Sequence, residues 1–229
     1  MVPTGDTVAV IPAYQAEKTI RPLVEALSAQ GFPVIVVDDG SADGTAELAG
    51  AAGARVVRRR ANGGKGAALR DGFSAAREGG HAWVLTLDAD GQHLPSEAPA
   101  FLRAREEGAE AILGNRMGSP RGMPLDRRLA NRWMSRVISR MAGQHVPDTQ
   151  CGFRLLSLRM LDSIRLTSER FEIDSELVLR MGWAGVPMRS VPVSSIYRRE
   201  LSFIRPLRDT FRFFLFLERM RRQRRARTQ

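Results

Sequence analysis

Several residue types and patterns are scarce in this 229-residue chain, and each scarcity excludes a class of protein. Cys151 is the only cysteine, so no internal disulfide is possible and a reducing compartment is expected. The longest stretch without a charged side chain is Ala26–Val37, which is too short to cross a bilayer as a helix. The first residues lead directly into an apolar segment without a basic signal region, so we expect a cytoplasmic protein.

Lysine is also scarce, although the chain is strongly basic. There are 33 Arg and only two Lys, and the formal net charge is +10. Eleven of the Arg, but only three acidic residues, fall in residues 197–229. Such a segment predicts an anionic partner, either a membrane surface or nucleic acid, and the alternative is that it is merely solvated by water. We therefore divide the chain into a body, residues 1–204, and a basic amphipathic tail, residues 205–229.

The body alternates apolar segments of strand character with amphipathic segments of helical spacing. The predicted strands are 7–14, 32–41, 54–59, 81–90, 109–116, the end of 146–157, and 186–199; the predicted helices are 17–31, 44–53, 62–80, 125–143 and 171–185. The strands are apolar throughout, which indicates an α/β fold with a mostly parallel sheet covered on both faces. Ligands of such sheets bind outside the carboxyl ends of the strands.

Two aspartates lie at the carboxyl end of the predicted strand 81–90. Asp88 and Asp90 can hold Mg²⁺ or Mn²⁺, with Gln92 as a further oxygen donor and with water and ligand phosphates completing the shell. An ion there would neutralise a diphosphate and favour its departure. The alternative is a turn in which the aspartates accept backbone hydrogen bonds.

Two more aspartates follow the strand 32–41. Asp38 and Asp39 predict hydrogen bonds to a ribose or a base, and the alternative is that an Asp or Ser of this segment caps the next helix. The glycine-rich loop 62–66 is not a phosphate loop, because Ala61 replaces the first glycine and Gly66 follows the lysine. Its Lys65 still supplies a positive charge, unless the loop is simply a flexible helix start.

Arginine forks match phosphate geometry, so several arginines are candidate anion ligands. They are Arg116, Arg127, Arg128, Arg132, Arg154 and Arg205. We favour Arg116 and Arg154 because both neighbour strand ends. The histidines His93 and His145 are expected to be structural, and Trp133 is expected on a helix face that packs.

Five motifs occur in the order found in one enzyme family. They are VIPAYQAEKTI, VVDDGSADGT, NGGKGAALRDGF, LDADGQH and DTQCGFRLL. With these motifs the chain resembles family 2 glycosyltransferases, and within them the synthases of dolichyl- or polyprenyl-phosphate mannose and glucose. The resemblance covers about residues 7–205. It implies a GT-A fold for residues 1–204, a nucleotide-sugar donor, a polyprenyl-phosphate acceptor, Mg²⁺ or Mn²⁺, and inversion at the sugar carbon.

The resemblance also implies roles for individual residues. The residues implied at the nucleotide are Pro12, Tyr14, Glu17 and Asp39, with Lys65 nearby. The residues implied to hold the metal on the donor diphosphate are Asp88, Asp90 and Gln92, and Arg116 is implied to face the phosphates. The residues implied at the sugar and acceptor are Asp148, Gln150, Arg154, Asp174 and Glu176. A lipid phosphate is already anionic, so electrostatic positioning matters more than a base. We therefore expect no strongly basic catalyst, with Asp148 an orienting group or a weak base.

The resemblance implies GDP-mannose or UDP-glucose as the donor, and the sequence leaves both open. The tail combines several phenylalanines and leucines with many arginines, which predicts peripheral attachment to the cytoplasmic membrane face. A tail that packs on the body is the alternative. Three other functions stay open: a glycosyltransferase with a non-lipid acceptor, a nucleotidyltransferase, and a non-catalytic nucleic-acid-binding protein. The nucleotidyltransferase is disfavoured by the absence of a glycine-rich loop after the first strand, and nucleic-acid binding leaves the acidic strand ends unexplained.

Overall fold

The structure, a computed structural model, describes residues 4–118, 122–196 and 206–228. Its strands are β1 (Thr7–Ala13), β2 (Val34–Asp38), β3 (Arg55–Arg58), β4 (Trp83–Thr86), β5 (Ala111–Asn115), β6 (Arg154–Ser157) and β7 (Met188–Pro192). Its helices are α1 (Ile20–Ser28), α2 (Thr45–Ala51), α3 (Lys65–Glu78), α4 (Ala98–Glu106), α5 (Leu125–Ala142), α6 (Leu158–Asp162), α7 (Ile173–Trp183) and α8 (Pro206–Thr228). The 3₁₀ turn Pro95–Glu97 leads into α4, as expected from a proline in the first turn.

The seven strands form one mixed sheet in the order β3-β2-β1-β4-β6-β5-β7. The strands β1 to β4 are parallel to one another, and β5 is parallel to β7. Strand β6 is antiparallel to both of its neighbours, β4 and β5. The α/β class and the mostly parallel sheet are therefore confirmed. Because β6 lies between β4 and β5, these two strands point the same way, and their carboxyl ends share one edge of the sheet.

Helices cover both faces of the sheet, as predicted. On one face Ile11 of β1 belongs to the same buried apolar cluster as Phe101 of α4 and the residues of α1. On the other face α3 lies so close to β1 and β2 that a side chain at Gly72 would overlap Val10. Burial of each large apolar side chain in these layers contributes about 1.5–3 kcal/mol.

The helical spacing read from the sequence is confirmed in α1. Its apolar residues Ile20, Leu23, Val24 and Leu27 are all buried in the core. Helices α5 and α7 also pack against each other, because Gly182 has no side chain and admits the backbone of Ala142 at close range. This pair of helices supports the residues 148–176 that contribute to the site described below.

The chain divides into two compact units, Met1–Tyr197 and Arg198–Gln229. The described part of the second unit is the single helix α8, in which the rings of Phe213 and Phe216 lie 6.2 Å apart. The boundary predicted between residues 204 and 205, and Arg205 itself, lie outside the described residues. No helix in the described ranges is both long enough and apolar enough to cross a membrane.

Candidate active site

The loops after β1, β2 and β4 meet at the carboxyl edge of the sheet and are hydrogen-bonded to one another. The amide of Gln15 donates to Ser41 Oγ (2.9 Å), and the amide of Ala16 donates to Thr45 Oγ1 (2.8 Å). The hydroxyl of Thr19 donates to the carbonyl of Ala89 (2.5 Å). These contacts fix the two acidic segments, residues 38–39 and 88–90, relative to each other before any ligand arrives.

Three of the residues implied at the nucleotide lie at the end of β1 or in the loop that follows it. Pro12 is half-buried in β1, whereas the ring of Tyr14 is about half exposed and can stack on a planar group. Glu17 Oε2 accepts a hydrogen bond from the amide of Gly44 (3.3 Å). Gln15 between them has a φ of 51°, which is unusual for a residue other than glycine. The nucleotide-binding roles of these residues stay a prediction.

The aspartates after β2 are buried and bind backbone amides. Asp38 Oδ1 accepts from the amide of Ser41 (3.1 Å). Asp39 accepts from the amides of Gly63 (2.9 Å) and Gly64 (2.7 Å), and it pairs with Arg59 Nε at 2.9 Å. Neither Asp38 nor Asp39 caps α2; Asp43 Oδ1 instead accepts from the amide of Thr45, the first residue of that helix (3.1 Å). Asp39 instead anchors the glycine-rich loop, while its predicted contact with a ribose or base stays a prediction.

The amides of the glycine-rich loop and of the start of α3 are used within the protein. Besides the two amides bound by Asp39, those of Gly66 (2.7 Å) and Ala67 (3.1 Å) both donate to the carbonyl of Glu169. A side chain at Gly64 would lie 2.6 Å from that carbonyl, so glycine is required there. The loop is therefore a docking surface for residues 168–169, in agreement with the view that it is not a phosphate loop.

The aspartates after β4 differ in environment. Asp88 lies against Gly152, where a side chain would overlap its carboxylate, and one of its oxygens binds Lys65 Nζ at 2.6 Å. Burial would raise the pKa of Asp88, but the charge of Lys65 and its hydrogen bond outweigh burial and lower it. Within the described residues, the Asp90 carboxylate accepts a single hydrogen bond, from the amide of Gln92 (2.9 Å). This is the turn geometry that the sequence analysis considered as the alternative to metal binding.

The negative charge of the Asp90 carboxyl group is poorly compensated by the surrounding protein groups. Although the residue has exposed surface, protein atoms crowd its carboxyl group, and this desolvation together with the Asp88 charge raises the pKa of Asp90 to about 6. Within the described ranges, no group of three or more His, Cys, Asp or Glu side chains is arranged to hold a metal ion. The donor set fits Mg²⁺ or Mn²⁺ held by one or two carboxylates and completed by phosphate oxygens. Asp90 is the leading candidate ligand.

Lys65 lies between two carboxylates that are far apart in sequence. Its ammonium group binds Asp88 at 2.6 Å and Asp174 Oδ2 at 2.9 Å, and its side chain is nearly buried. Burial alone would lower the pKa of Lys65, but the charges of Asp174 and Asp88 raise it instead. Lys65 is therefore a permanent cation at the carboxyl edge, beside the metal-ligand candidates.

Arg116 and Asp148 form a buried pair. Asp148 Oδ2 accepts from Arg116 Nε (2.7 Å) and from its amide (3.1 Å), and Asp148 Oδ1 accepts from Arg116 Nη2 (2.9 Å). The amide of Gln150 also donates to Asp148 Oδ1 (3.2 Å). Burial would raise the pKa of Asp148, but its hydrogen bonds with Arg116 and the charge of that residue lower it. Such a carboxylate is a weak base, and its bonds orient Arg116.

A second buried network joins the DTQCGFR motif to α7. Arg154 Nη1 pairs with Asp174 Oδ1 at 3.0 Å, and Arg154 Nη2 donates to the carbonyl of Thr149 at 3.0 Å. Gln150 Nε2 donates to Thr149 Oγ1 (2.8 Å) and to Ser175 Oγ (2.9 Å). Arg154 is almost completely buried, so its contacts position Asp174 and through it Lys65. The contacts with sugar or acceptor implied for Gln150, Arg154 and Asp174 stay predictions.

Glu176 is a fully buried carboxylate with a set of internal donors. It accepts from the amides of Thr167 (3.0 Å) and Ser168 (2.6 Å), and it pairs with Arg180 Nη2 at 3.0 Å. These bonds hold the segment before α7 in the position where the Glu169 carbonyl reaches α3. The implied role of Glu176 beside the sugar stays a prediction, while the observed contacts give it a positioning role.

Two further features of the site are a buried histidine, which the sequence analysis expected to be structural, and a backbone carbonyl contact, which it did not expect. His93 is buried against the ring of Phe153, its Nδ1 has no hydrogen-bond partner, and burial lowers its pKa to about 4. The Glu169 carbonyl bound to the start of α3 had no sequence signal, because any residue supplies a carbonyl. The expectation of a structural histidine at position 93 agrees with its burial.

Residues 8–165 match the family described as Glycosyl transferase family 2. The chain belongs to that family. It is therefore an enzyme of the glycosyltransferase class, as the five motifs implied, and the non-catalytic alternative falls away.

Similar members of glycosyltransferase family 2 include proteins from archaea and bacteria. Glycosyltransferase AglJ of Haloferax volcanii is 32% identical over 224 residues, which cover 95% of this chain and 73% of AglJ. A polyprenol monophosphomannose synthase of Mycolicibacterium smegmatis is 30% identical over 178 residues, which cover 72% of this chain and 67% of the synthase.

Solved structures establish the GT-A fold. Mannosyl-3-phosphoglycerate synthase from Rubrobacter xylanophilus matches with a TM-score of 0.75 at 19% identity, covering 97% of this chain and 74% of that one. Glucosyl-3-phosphoglycerate synthase from Mycobacterium tuberculosis, solved with Mn²⁺, uridine diphosphate and phosphoglyceric acid, matches with a TM-score of 0.71 at 22% identity, covering 89% of this chain and 72% of that one.

Proposed function

We propose that this family 2 glycosyltransferase transfers a hexose from GDP-mannose or UDP-glucose to a polyprenyl phosphate at a membrane surface, with inversion and with Mg²⁺ or Mn²⁺. The observation that carries the metal–diphosphate part is the poorly compensated Asp90 carboxylate at the carboxyl edge, beside the buried cations Lys65 and Arg116. A metal–diphosphate ligand carries both signs of charge and complements this arrangement. The named polyprenol relative supports the acceptor class.

Each part of the edge has a distinct task in this proposal. Asp90, with Gln92 and Asp88, would hold the cation, which supplies charge neutralisation of the departing diphosphate. Lys65 and Arg116 stand ready as further cations for the phosphate oxygens of donor and acceptor. Tyr14 and Asp39 would bind the nucleoside.

The proposal needs no strong general base. A phosphate oxygen of the acceptor is already ionised near neutral pH, so no proton has to be removed before it attacks. Asp148 agrees with this requirement, because its carboxylate binds four donors and its pKa is lowered. Asp148 would serve by orienting Arg116 towards the reacting groups.

An exposed surface on α5 supports an acceptor that resides in a membrane. Leu125 (73% exposed), Leu129 (66%) and Trp133 (41%) follow one another at intervals of four residues, so they share one side of the helix. The exposed residues Arg132, Arg136 and Arg140 extend this side towards the end of the helix. Trp133 was expected on a packed face, but the packed face consists of Ser135, Ile138, Ser139 and Ala142.

Leucine, tryptophan and arginine on one helix side are typical of helices that lie in an anionic membrane interface. Among the described residues, no ion pair involves Arg132, Arg136 or Arg140, so nothing in that part of the chain neutralises their charges. The basic tail, residues 205–229, would add a second anionic-lipid contact. The start of α5 follows β5, whose carboxyl end belongs to the edge that carries Asp90 and Arg116.

A donor-by-acceptor assay tests the proposal. The purified full chain receives UDP-glucose or GDP-mannose, Mn²⁺ or Mg²⁺, and either a polyprenyl phosphate or phosphoglycerate as acceptor. Asp90→Ala is compared with Asp162→Ala, which removes an acid at the opposite edge of the sheet. We expect metal-dependent glycolipid that Asp90→Ala abolishes and Asp162→Ala preserves. Formation of glycosylated phosphoglycerate without glycolipid would show that phosphoglycerate, and not the lipid, is the acceptor. A folded protein that turns over neither donor would contradict the proposal.

A further inference from the structure

The ion pair between Lys65 and Asp88 places a protein cation on a metal-ligand candidate. Lys65 Nζ lies 2.6 Å from Asp88 Oδ1, which is a charge-assisted hydrogen bond of short length. On its other side the Asp88 carboxylate lies against Gly152. The oxygen that faces Lys65 is therefore shared between that ammonium group and any ion that approaches Asp88.

The position of Lys65 is fixed from several directions. Asp174 holds the same ammonium group at 2.9 Å, and Arg154 holds Asp174 in turn. The amides of the two residues that follow the lysine, Gly66 and Ala67, donate to the carbonyl of Glu169, so the helix start cannot rotate away without losing these hydrogen bonds. Lys65 is thus a preorganised charge and not a surface side chain that happens to reach an acid.

The charges at this edge are unequally matched. Asp88 and Asp174 share Lys65, and Asp174 has Arg154 as well, whereas no ion pair involves Asp90 in the part of the chain that the structure describes. A divalent ion that approaches without a nucleotide meets one open carboxylate at Asp90 and one that is already bound by a cation at Asp88. The lysine repels this ion and competes with it for the same oxygen.

We propose that Lys65 is a built-in counter-cation which keeps the affinity for a free divalent ion low and makes metal binding depend on the nucleoside diphosphate. This inference rests on the proposed function, because the diphosphate is that of the donor. A diphosphate adds negative charge that binds the metal and also accepts Lys65, so the competition at Asp88 is relieved. Metal and nucleotide must then strengthen each other's binding by the same factor.

Removal of the lysine charge tests the inference without any turnover. Binding of Mn²⁺ alone to the full chain is measured from the loss of the free-ion paramagnetic resonance signal, for the unaltered protein, Lys65→Met and Lys65→Arg. We expect Lys65→Met to bind Mn²⁺ alone at least about tenfold more tightly, a factor typical of coupled sites. Lys65→Arg, which keeps the charge, should resemble the unaltered protein. Lys18→Met is the matched control, since Lys18 is exposed and is the chain's other lysine.

The unaltered protein provides a second test, which does not depend on whether a variant folds. Addition of UDP or GDP should tighten its binding of Mn²⁺ by at least about tenfold, and Lys65→Met should lose most of that gain. Unchanged or weaker Mn²⁺ binding by a folded Lys65→Met overturns the inference, as does a nucleotide that leaves Mn²⁺ affinity unaltered. A chain that binds neither UDP nor GDP contradicts the proposed function instead, while the Mn²⁺-only comparison still decides the role of Lys65.

Discussion

Replacement of Asp148 by asparagine should destabilise the fold far more than replacement of a surface aspartate in a similar pair. Asp148 is fully buried and binds Arg116 through both oxygens, so Asp148→Asn removes one charge of a nearly buried ion pair. Breaking a buried pair in this way costs about 3–5 kcal/mol. Asp162, which pairs with Arg77, has a side chain that is 60% exposed. Asp162→Asn should therefore cost at most about 1 kcal/mol.

Urea denaturation of both variants at pH 7 measures this difference, and a pH series gives a second check. The pKa of Asp148 is lowered in the fold, so its stabilisation is present above the unfolded pKa of about 3.9 and is lost as the pH falls through the folded value. The gap in unfolding free energy between the unaltered protein and Asp148→Asn should be constant from pH 8 to pH 5 and should narrow in stronger acid. Equal stability of the two asparagine variants at pH 7 would refute the reasoning.

The same variant tests the absence of a strong base. Loss of a general base typically lowers turnover by about 10²–10⁴-fold. Because Asp148 has four donors and a lowered pKa, the folded fraction of Asp148→Asn should lose less than about 100-fold. Complete loss of turnover with normal donor binding would contradict this interpretation.

Three further predictions concern other parts of the molecule. Asp90→Asn should raise the melting temperature at pH 7.5, because the pKa of Asp90 is raised to about 6, and the gain should shrink below pH 6 and vanish towards pH 3, where the carboxyl group is largely neutral in both states; a full gain that persists at pH 3 would have another cause. Gly152→Ala should weaken Mn²⁺ binding in the presence of UDP or GDP, since the added methyl group overlaps the Asp88 carboxylate, whereas Gly185→Ala at an open turn should leave it unchanged. The double variant Leu125→Glu, Leu129→Glu should reduce flotation of the protein with phosphatidylglycerol vesicles, and so should truncation after Leu207. The control double variant Arg21→Glu, Arg103→Glu should have a smaller effect. If the α5 changes leave flotation unaffected, α5 does not contact the membrane.

The sequence predicted the parts of this fold that depend on local pattern. Apolar runs gave the strands β1, β2 and β4, and helical spacing gave the buried face of α1, because each pattern reflects the period of its own backbone. Since parallel strands share a carboxyl edge, the meeting of Asp39 and Asp88 at one side of the sheet could also be expected. The strand β6 was predicted, but its antiparallel direction was not, because strand direction depends on partners that periodicity does not identify. The short helix α6 was not predicted.

The pairing of charges could not be read from the sequence. Lys65 binds a carboxylate 109 residues later, and Asp148 binds an arginine 32 residues earlier, so no local pattern connects them. Trp133 shows the same limit for apolar residues, since spacing defines the two sides of α5 but not which side meets a neighbour. Only the packing of α5 against α7 decided that the leucine and tryptophan side is exposed.

The pairs at the carboxyl edge also limit how the proposed reaction can proceed. Lys65 and Arg116 are the cations best placed for phosphate oxygens, yet both already bind carboxylates in this structure. A phosphate can gain from them only by sharing them with Asp88 and Asp148 or by displacing these acids. Sharing favours the state in which the most negative charge is present, because each cation then interacts with two anions at once. Donor diphosphate and acceptor phosphate together create that state, and a bound metal would offset the repulsion between them, so the edge is suited to the assembled complex more than to any single ligand.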